Sequence, residues 1–333
     1  MVGICVAVKF TIRGIKSSSP LGTMISPTEE LCWRTRGWVV PSHALEIEDQ
    51  LVHDIEQVYK GKDIPDDFGT EPKLMFPSTL NSINEMAVHK ELLAIAGNLL
   101  NAPAKLIQMV AWAKKGSVNR DEASNQDQRM HMDYGNNSFV HPPPFHNPNV
   151  CAVIVYLSDT SETGGATRVV SRNGPRDPWY KPPYVNMPGQ AGLAFVNNRE
   201  DAELAMAYEG HDRSSLYDRE ESPQFEVGEM LWYRHDVWHR GTPVNPGSVR
   251  YVINMAWTKD DSPNFVWQGG YARQLYYGWL EDFISSLNSY QLYAIGFPHP
   301  LSSYWCNETI AGVAARYHCY GFDINKYLTA SII

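Results

Sequence analysis

Apolar residues recur along this chain with two different periods, and the change from one to the other divides it. Over Glu46–Tyr59, Ile47, Leu51, Ile55 and Val58 fall three or four apart, which predicts a helix with one buried stripe. A second helical pattern spans Ser82–Leu100 and stops at Asn101-Ala102-Pro103. Ahead of both, Ser26-Pro27-Thr28-Glu29 has the residues of a helix start: a serine N-cap, a proline in the first turn and a glutamate placed to complete a capping box. Arg36–Pro41 then reads as a turn into a short strand.

Between Lys105 and Trp257 the helical period disappears. Lys105–Trp112, Val150–Leu157, Ala191–Val196, Met230–Arg234 and Val249–Thr258 are short strand-like runs separated by Gly-, Pro- and Asn-rich connections. Several such strands around a cavity predict a mainly β protein with flanking helices, built on a double-stranded β-helix (jelly roll, cupin-like) core. Two connections are long. Gly135–Asn149 carries Pro142–Pro144, and the stretch from about 171 to 228 carries Trp179, Tyr180, Tyr184, Tyr208 and Tyr217, which points to a lid over the cavity mouth. Helical patterns return at Leu275–Tyr293 and Asn307–Ala315.

A chain of 333 residues is long enough to bury one sizeable core. The expected layout is an extension over 1–25 and a single domain over 26–333. That domain comprises N-terminal helices (26–104), the jelly-roll core (105–260) and a helical C-terminal region (261–333). A net charge of −9 argues against nucleic acid and anionic membranes as partners and leaves a small-molecule substrate as the expected one. Five scattered cysteines without CxxC pairing fit a reducing compartment, and a cytoplasmic location is expected. Residues 1–25 hold Lys9, Arg13 and Lys16 and no acidic residue, which leaves open an organellar transit peptide beside a plain disordered extension.

The chemistry lies in two places. His131-Met132-Asp133 sets an imidazole and a carboxylate two residues apart, on one face of an extended segment. A second imidazole, His239, follows the strand at Met230–Arg234. Two histidines and one carboxylate on one face of a metal leave the opposite positions open, the arrangement of non-haem Fe(II) oxygenases. The bland alternative is a loop pair that hydrogen-bonds locally.

Val249–Lys259 alternates, with Arg250, Val252, Asn254 and Ala256 on one face. A buried arginine there needs an anion, either an acidic residue of the same core or the distal carboxylate of a dicarboxylate such as 2-oxoglutarate, which a guanidinium can hold two-pronged. Thr242 is a candidate to add a hydroxyl to that carboxylate. Gln108, placed with Leu106, Val110 and Trp112 on one strand face, is a candidate for contact with cosubstrate or substrate, or for satisfaction by backbone. Tyr134, Asn136, Asn137 and Arg168 are candidates to face the substrate, and His235 and Asp236 to orient a ligand or to be ordinary strand-end polar residues.

Taken in order, His131-x-Asp133, Tyr156–Val170 with its Gly164-Gly165-Ala166-Thr167, and Gly228–Trp232 through His239-Arg240-Gly241, Asn245 and Arg250 resemble the phytanoyl-CoA dioxygenase family of Fe(II)/2-oxoglutarate-dependent oxygenases over about 26–260. The resemblance implies Fe(II) held by His131, Asp133 and His239 as metal and catalytic residues, 2-oxoglutarate held by Arg250, and Gln108 near the cosubstrate. It implies consumption of O2, with ascorbate as the reductant that keeps such iron ferrous. The reaction implied is hydroxylation or another oxidation of a C–H bond of a small molecule, with release of succinate and CO2. Asp133 argues against a halogenase, which lacks that carboxylate. Two rivals remain open: a catalytically silent relative that binds a ligand, and a metal-dependent cupin enzyme that uses no keto acid.

Overall fold

The computed structural model describes residues 25–64, 74–116 apart from 77, 79, 88 and 103, then 130–134, 140–180, 215–259, and 297–329 apart from 318 and 319, with isolated positions between 285 and 292. The N-terminal extension, Asn136 and Asn137, the strand expected at 191–196, Tyr184 and Tyr208, and most of the helix expected at 275–293 lie outside the described residues.

The first helix, α1 (Pro27–Arg36), starts where its capping residues place it. The Ser26 side chain accepts from the Glu29 amide, the Glu29 carboxylate accepts from the Ser26 amide, and Gly37 closes the helix at a φ of 95°. β1 (Trp38–Val39) follows, then α2 (Asp49–Tyr59), which buries Leu51, Ile55 and Tyr59. The single helix expected over 82–100 is two helices, α3 (Asn81–Ala87) and α4 (Lys90–Leu100), because His89 is extended at the start of the second. Asn101, left-handed at a φ of 51°, ends α4.

The strands form two sheets. The larger has the order β1-β7-β4-β9-β3-β2, in which β2 is Leu74–Met75, β3 Ala104–Lys115, β4 Val150–Tyr156, β7 Met230–Tyr233 and β9 Val249–Lys259. The smaller has the order β6-β5-β8, from Glu220–Glu221, Arg168–Val170 and His239–Arg240. All pairings are antiparallel. With helices against one face of the larger sheet, this is the expected mainly β, jelly-roll architecture.

The two faces of β9 show how the layers divide. Ile253, Met255 and Trp257 join the cluster under the helices with Trp33, Ile95, Leu99 and Trp232, whereas Val252 and Ala256 join the interior cluster with Trp112, Tyr156, Val169 and Leu231. β3 departs from strict alternation. A bulge between Leu106 and Gln108 turns Leu106 to the helix side and Ile107 inward, so Leu106 does not share the face of Val110 and Trp112 as alternation alone predicts.

The C-terminal region adds α5 (Asn307–Arg316) and α6 (Ile324–Leu328), packed with Phe297, Tyr304 and Val140. Gly312 of α5 lies on the His141 ring, where a Cβ would stand 2.2 Å from Cγ, and the Tyr304 hydroxyl donates to the His141 carbonyl. Of the aromatic residues expected over the mouth, Trp179, Tyr180 and Tyr217 are described. Tyr180 donates to the Val170 carbonyl, the Trp238 indole donates to the Trp179 carbonyl at 2.8 Å, and Tyr217 packs in the same cluster, so all three line the outer side of the small sheet.

Candidate metal centre and anion pocket

A single bridge brings the two histidines together. His131 and His239 exchange backbone hydrogen bonds, each 2.9 Å, and His239 is in turn paired with Val169 of β5. Residues directly opposite in antiparallel pairs present their side chains on the same face. Val169 is buried in the interior cluster, so both imidazoles enter the interior as well. Asp133, two residues beyond His131, completes the group. Its Oδ1 is 3.4 Å from His131 Nε2 and its Oδ2 is 3.3 Å from His239 Nε2. One ligand atom from each of the three residues lies within 4.8 Å of the other two. Separations of this size suit neighbouring ligand atoms around one ion with bonds of about 2.1 Å.

The surroundings prepare these atoms to bind. His239 Nδ1 is 3.0 Å from the Val237 carbonyl, so it carries the proton and leaves the Nε2 lone pair directed inward. Burial opposes ionisation of Asp133, but the facing His239 and His131 hold its carboxyl well below the usual carboxylate range. Burial and the Asp133 charge raise the Tyr233 phenol well above its ordinary value. It therefore stays protonated and donates to Asp133 Oδ2 at 2.7 Å. Tyr233 is a site residue that the sequence does not announce, since Met230–Tyr233 reads as one buried apolar run.

The same cavity, with about 400 Å3 of empty space including its mouth, is lined by Trp112, His131, Asp133, Ile154, Thr167, Tyr233, His239, Gly241, Arg250, Val252 and Asn254. Arg250 is 4% exposed and its guanidinium lies 5.0 Å from the centre of the Trp112 ring. It donates to the Gly165 carbonyl, yet its Nε is buried without a partner, and no acidic side chain among the described residues pairs with it. Burial depresses its pKa, with Tyr156 opposing. Among the described residues, no carboxylate of the kind the bland reading requires meets it. Asn254 Oδ1, also buried, has no partner either. Gly165 makes this approach feasible: at a φ of 75°, a Cβ on it would stand 2.7 Å from Val244 Cγ2 and 3.2 Å from Arg250 Cδ.

The other sequence candidates fall elsewhere. Arg168 pairs across the small sheet with Arg240, one residue out of step with Val169 and His239, and so faces outward. Glu220 holds both guanidinia, at 2.9 Å from Arg168 Nη1 and 2.8 Å from Arg240 Nη2. Thr242 donates to the Ala166 carbonyl at 2.7 Å and lines a neighbouring cleft with Gly165 and Arg168. Gln108 is half-buried opposite Ala256 and does not line the metal cavity. Tyr134 packs with Trp238 and Tyr180 and borders a separate small cavity together with His235. Asp236 is held in a fork by Arg234, both contacts being 2.8 Å, so it orients no histidine.

No protein family and no curated protein matches the chain. Among solved structures it is similar to EvdMO1, at 12% identity and a TM-score of 0.46 over 70% of this chain; the chain spans half the length of that protein. It is similar to HygX from Streptomyces hygroscopicus, solved with nickel and 2-oxoglutarate bound, at 14% identity and a TM-score of 0.46, covering 73% of this chain and 90% of that one. It is also similar to EctD from S. alaskensis, solved with 2-oxoglutarate and 5-hydroxyectoine, at 13% identity and a TM-score of 0.47, covering 73% and 79%. With identities this low, the chemistry has to be read from the chain's own side chains. Among the described residues, no helix is long and apolar enough to cross a membrane.

Proposed function

We propose that this chain is an Fe(II)- and 2-oxoglutarate-dependent oxygenase that oxidises a C–H bond of a small molecule. The observation that carries the reading is the pairing, in one cavity, of the His131/Asp133/His239 cluster with a buried Arg250 that has no acidic partner among the described residues. Either half alone has a bland explanation. Together they provide a three-ligand site with open positions and, beside it, a cation that lacks its anion.

In this reading His131, Asp133 and His239 hold the iron, which when bound supplies the activation of O2 and the oxidative decarboxylation of the keto acid to succinate and CO2. Arg250 binds the distal carboxylate of 2-oxoglutarate through a charge-assisted fork, and Asn254 donates its amide to the same group. The Trp112 face flanks the guanidinium, while Ile154 and Val252 close the pocket against water. Thr167 stays in place because its hydroxyl accepts from Tyr156 at 2.9 Å and its amide donates to the same phenol. Membership of the phytanoyl-CoA dioxygenase family is the finer part of this reading. It is supported by the order and spacing of the ligand and arginine motifs.

The test is a metabolite library screened for succinate with Fe(II) and 2-oxoglutarate present, with Asp133→Ala as control. Succinate formation that requires both additions is the expected result. No Fe(II)-dependent succinate from any member, together with no binding of 2-oxoglutarate by calorimetry, would sink the proposal.

A further inference from the structure

Tyr233 touches two of the three prospective ligands without being one. Its main chain is fixed on both sides, paired with Trp38 of β1 and Ala152 of β4. From there the phenol reaches inward to donate to Asp133 Oδ2 at 2.7 Å, and its ring centre lies 4.8 Å from that of His239. A carboxylate left to itself can bind a cation with one oxygen or chelate it with both. Chelation uses a coordination position that a bidentate keto acid and dioxygen would otherwise fill. A hydrogen bond to one oxygen lowers that oxygen's donor strength and leaves the other, here Oδ1 on the His131 side, as the better ligand.

We propose that Tyr233 is a positioning residue that caps Asp133 Oδ2, so that Asp133 binds a metal through one oxygen and a coordination position stays open. This rests on the metal reading above, and the experiment separates the two. Co(II) is titrated into the intact wild-type chain and into Tyr233→Phe, and both affinity and the intensity of the visible cobalt band are recorded. The expected result is that the variant binds Co(II) at least as tightly as the wild type, because a second carboxylate oxygen is freed to bind. Its band should also be weaker, as a second carboxylate oxygen joins the ion, while the metal-free variant melts in one transition as the wild type does. Equal affinity with an unchanged band overturns the inference and leaves the metal reading standing. A wild type that binds no Co(II) removes both. Should the variant fail to fold, a crystal structure of the wild-type Co(II) form decides: one Asp133 oxygen on the ion supports the inference, and two overturn it.

Discussion

Arg250 stands on a strand of eleven residues that is hydrogen-bonded to β3 on one side and β4 on the other, whereas His131 and Asp133 stand on a short segment joined to the small sheet by one bridge. The anion end of the cavity is therefore built into regular sheet. Its walls come from three adjacent strands, with Trp112 on β3, Ile154 on β4, and Arg250, Val252 and Asn254 on β9. The metal end is assembled from two chain segments about a hundred residues apart, joined by that bridge, by the packing of the two imidazole rings and by the Tyr233–Asp133 hydrogen bond. The difference implies two kinds of preorganisation. The guanidinium is fixed, and already desolvated, before any keto acid arrives. On the proposed reading the triad would gain its final order from the ion, because metal binding and local folding are linked.

Removing a ligand is the most severe way to break this contrast. Asp133→Ala is expected to weaken Co(II) or Fe(II) binding by more than roughly hundredfold, the upper range for groups that only hydrogen-bond to a metal ligand, and to abolish succinate formation. 2-Oxoglutarate should lose its metal-dependent binding in the same titration. Turnover equal to wild type would show that the cluster is not the catalytic centre.

At the other end, Arg250→Ala removes one partner of the expected ion pair, a loss of about 2 kcal/mol or more, which is roughly thirtyfold in affinity for 2-oxoglutarate by calorimetry. Metal affinity measured without the keto acid should not change. Arg250→Met adds a sign test. Because the native charge is buried without an acidic partner among the described residues, the apolar replacement should raise the melting temperature of the metal-free protein while 2-oxoglutarate binding is lost. A lower melting temperature would mean that the guanidinium already has a stabilising partner.

Acid should act on the metal side first. His141 lies on the loop that follows the ligand segment, and burial, opposed by its bond to the Pro142 carbonyl, lowers its pKa from 6.5 to about 4. The unfolded chain then binds the extra proton between those values and the folded chain does not. Stability contributed by neutral His141 is complete above pH 6.5 and is lost as pH falls towards 4, at about 1.4 kcal/mol per pH unit. Urea unfolding at pH 7, 6 and 5 should show at least that slope, since burial lowers His235 to about 4 as well, and His141→Leu should remove the part due to His141. An unchanged slope would mean that other groups set the acid limit.

The smallest expected effect is at Asn254, whose buried Oδ1 has no partner among the described residues. Asn254→Leu should cost about 1 kcal/mol of 2-oxoglutarate affinity, several-fold, and leave metal binding alone. No change would confine the anion grip to Arg250.

Much of this site is legible in the sequence because its residues announce themselves chemically. A histidine and an aspartate two apart, a distant histidine after an apolar run, and an arginine inside a strand are each out of place in an ordinary core. Alternation alone puts Arg250 on the inner face of β9, and the structure places it there. Tyr233 was illegible for the opposite reason: a tyrosine closing an apolar strand looks like packing, and only the approach of Asp133 from elsewhere gives its hydroxyl a role. Arg168 and Thr242 look like ligands by type. Strand register turns one outward to Glu220, and the Ala166 carbonyl occupies the hydroxyl of the other. The bulge before Gln108 and the break at His89 are set by tertiary packing, which neither period in the sequence encodes.

The contact between Gly312 and His141 ties the far end of the polypeptide to this chemistry. Even a methyl group at position 312, harmless to a helix by itself, would have to displace the imidazole or lift α5 away. The loop fastened there leads back to Tyr134 and Asp133, so damage near the C-terminus would register at the candidate metal centre some 180 residues earlier in the chain.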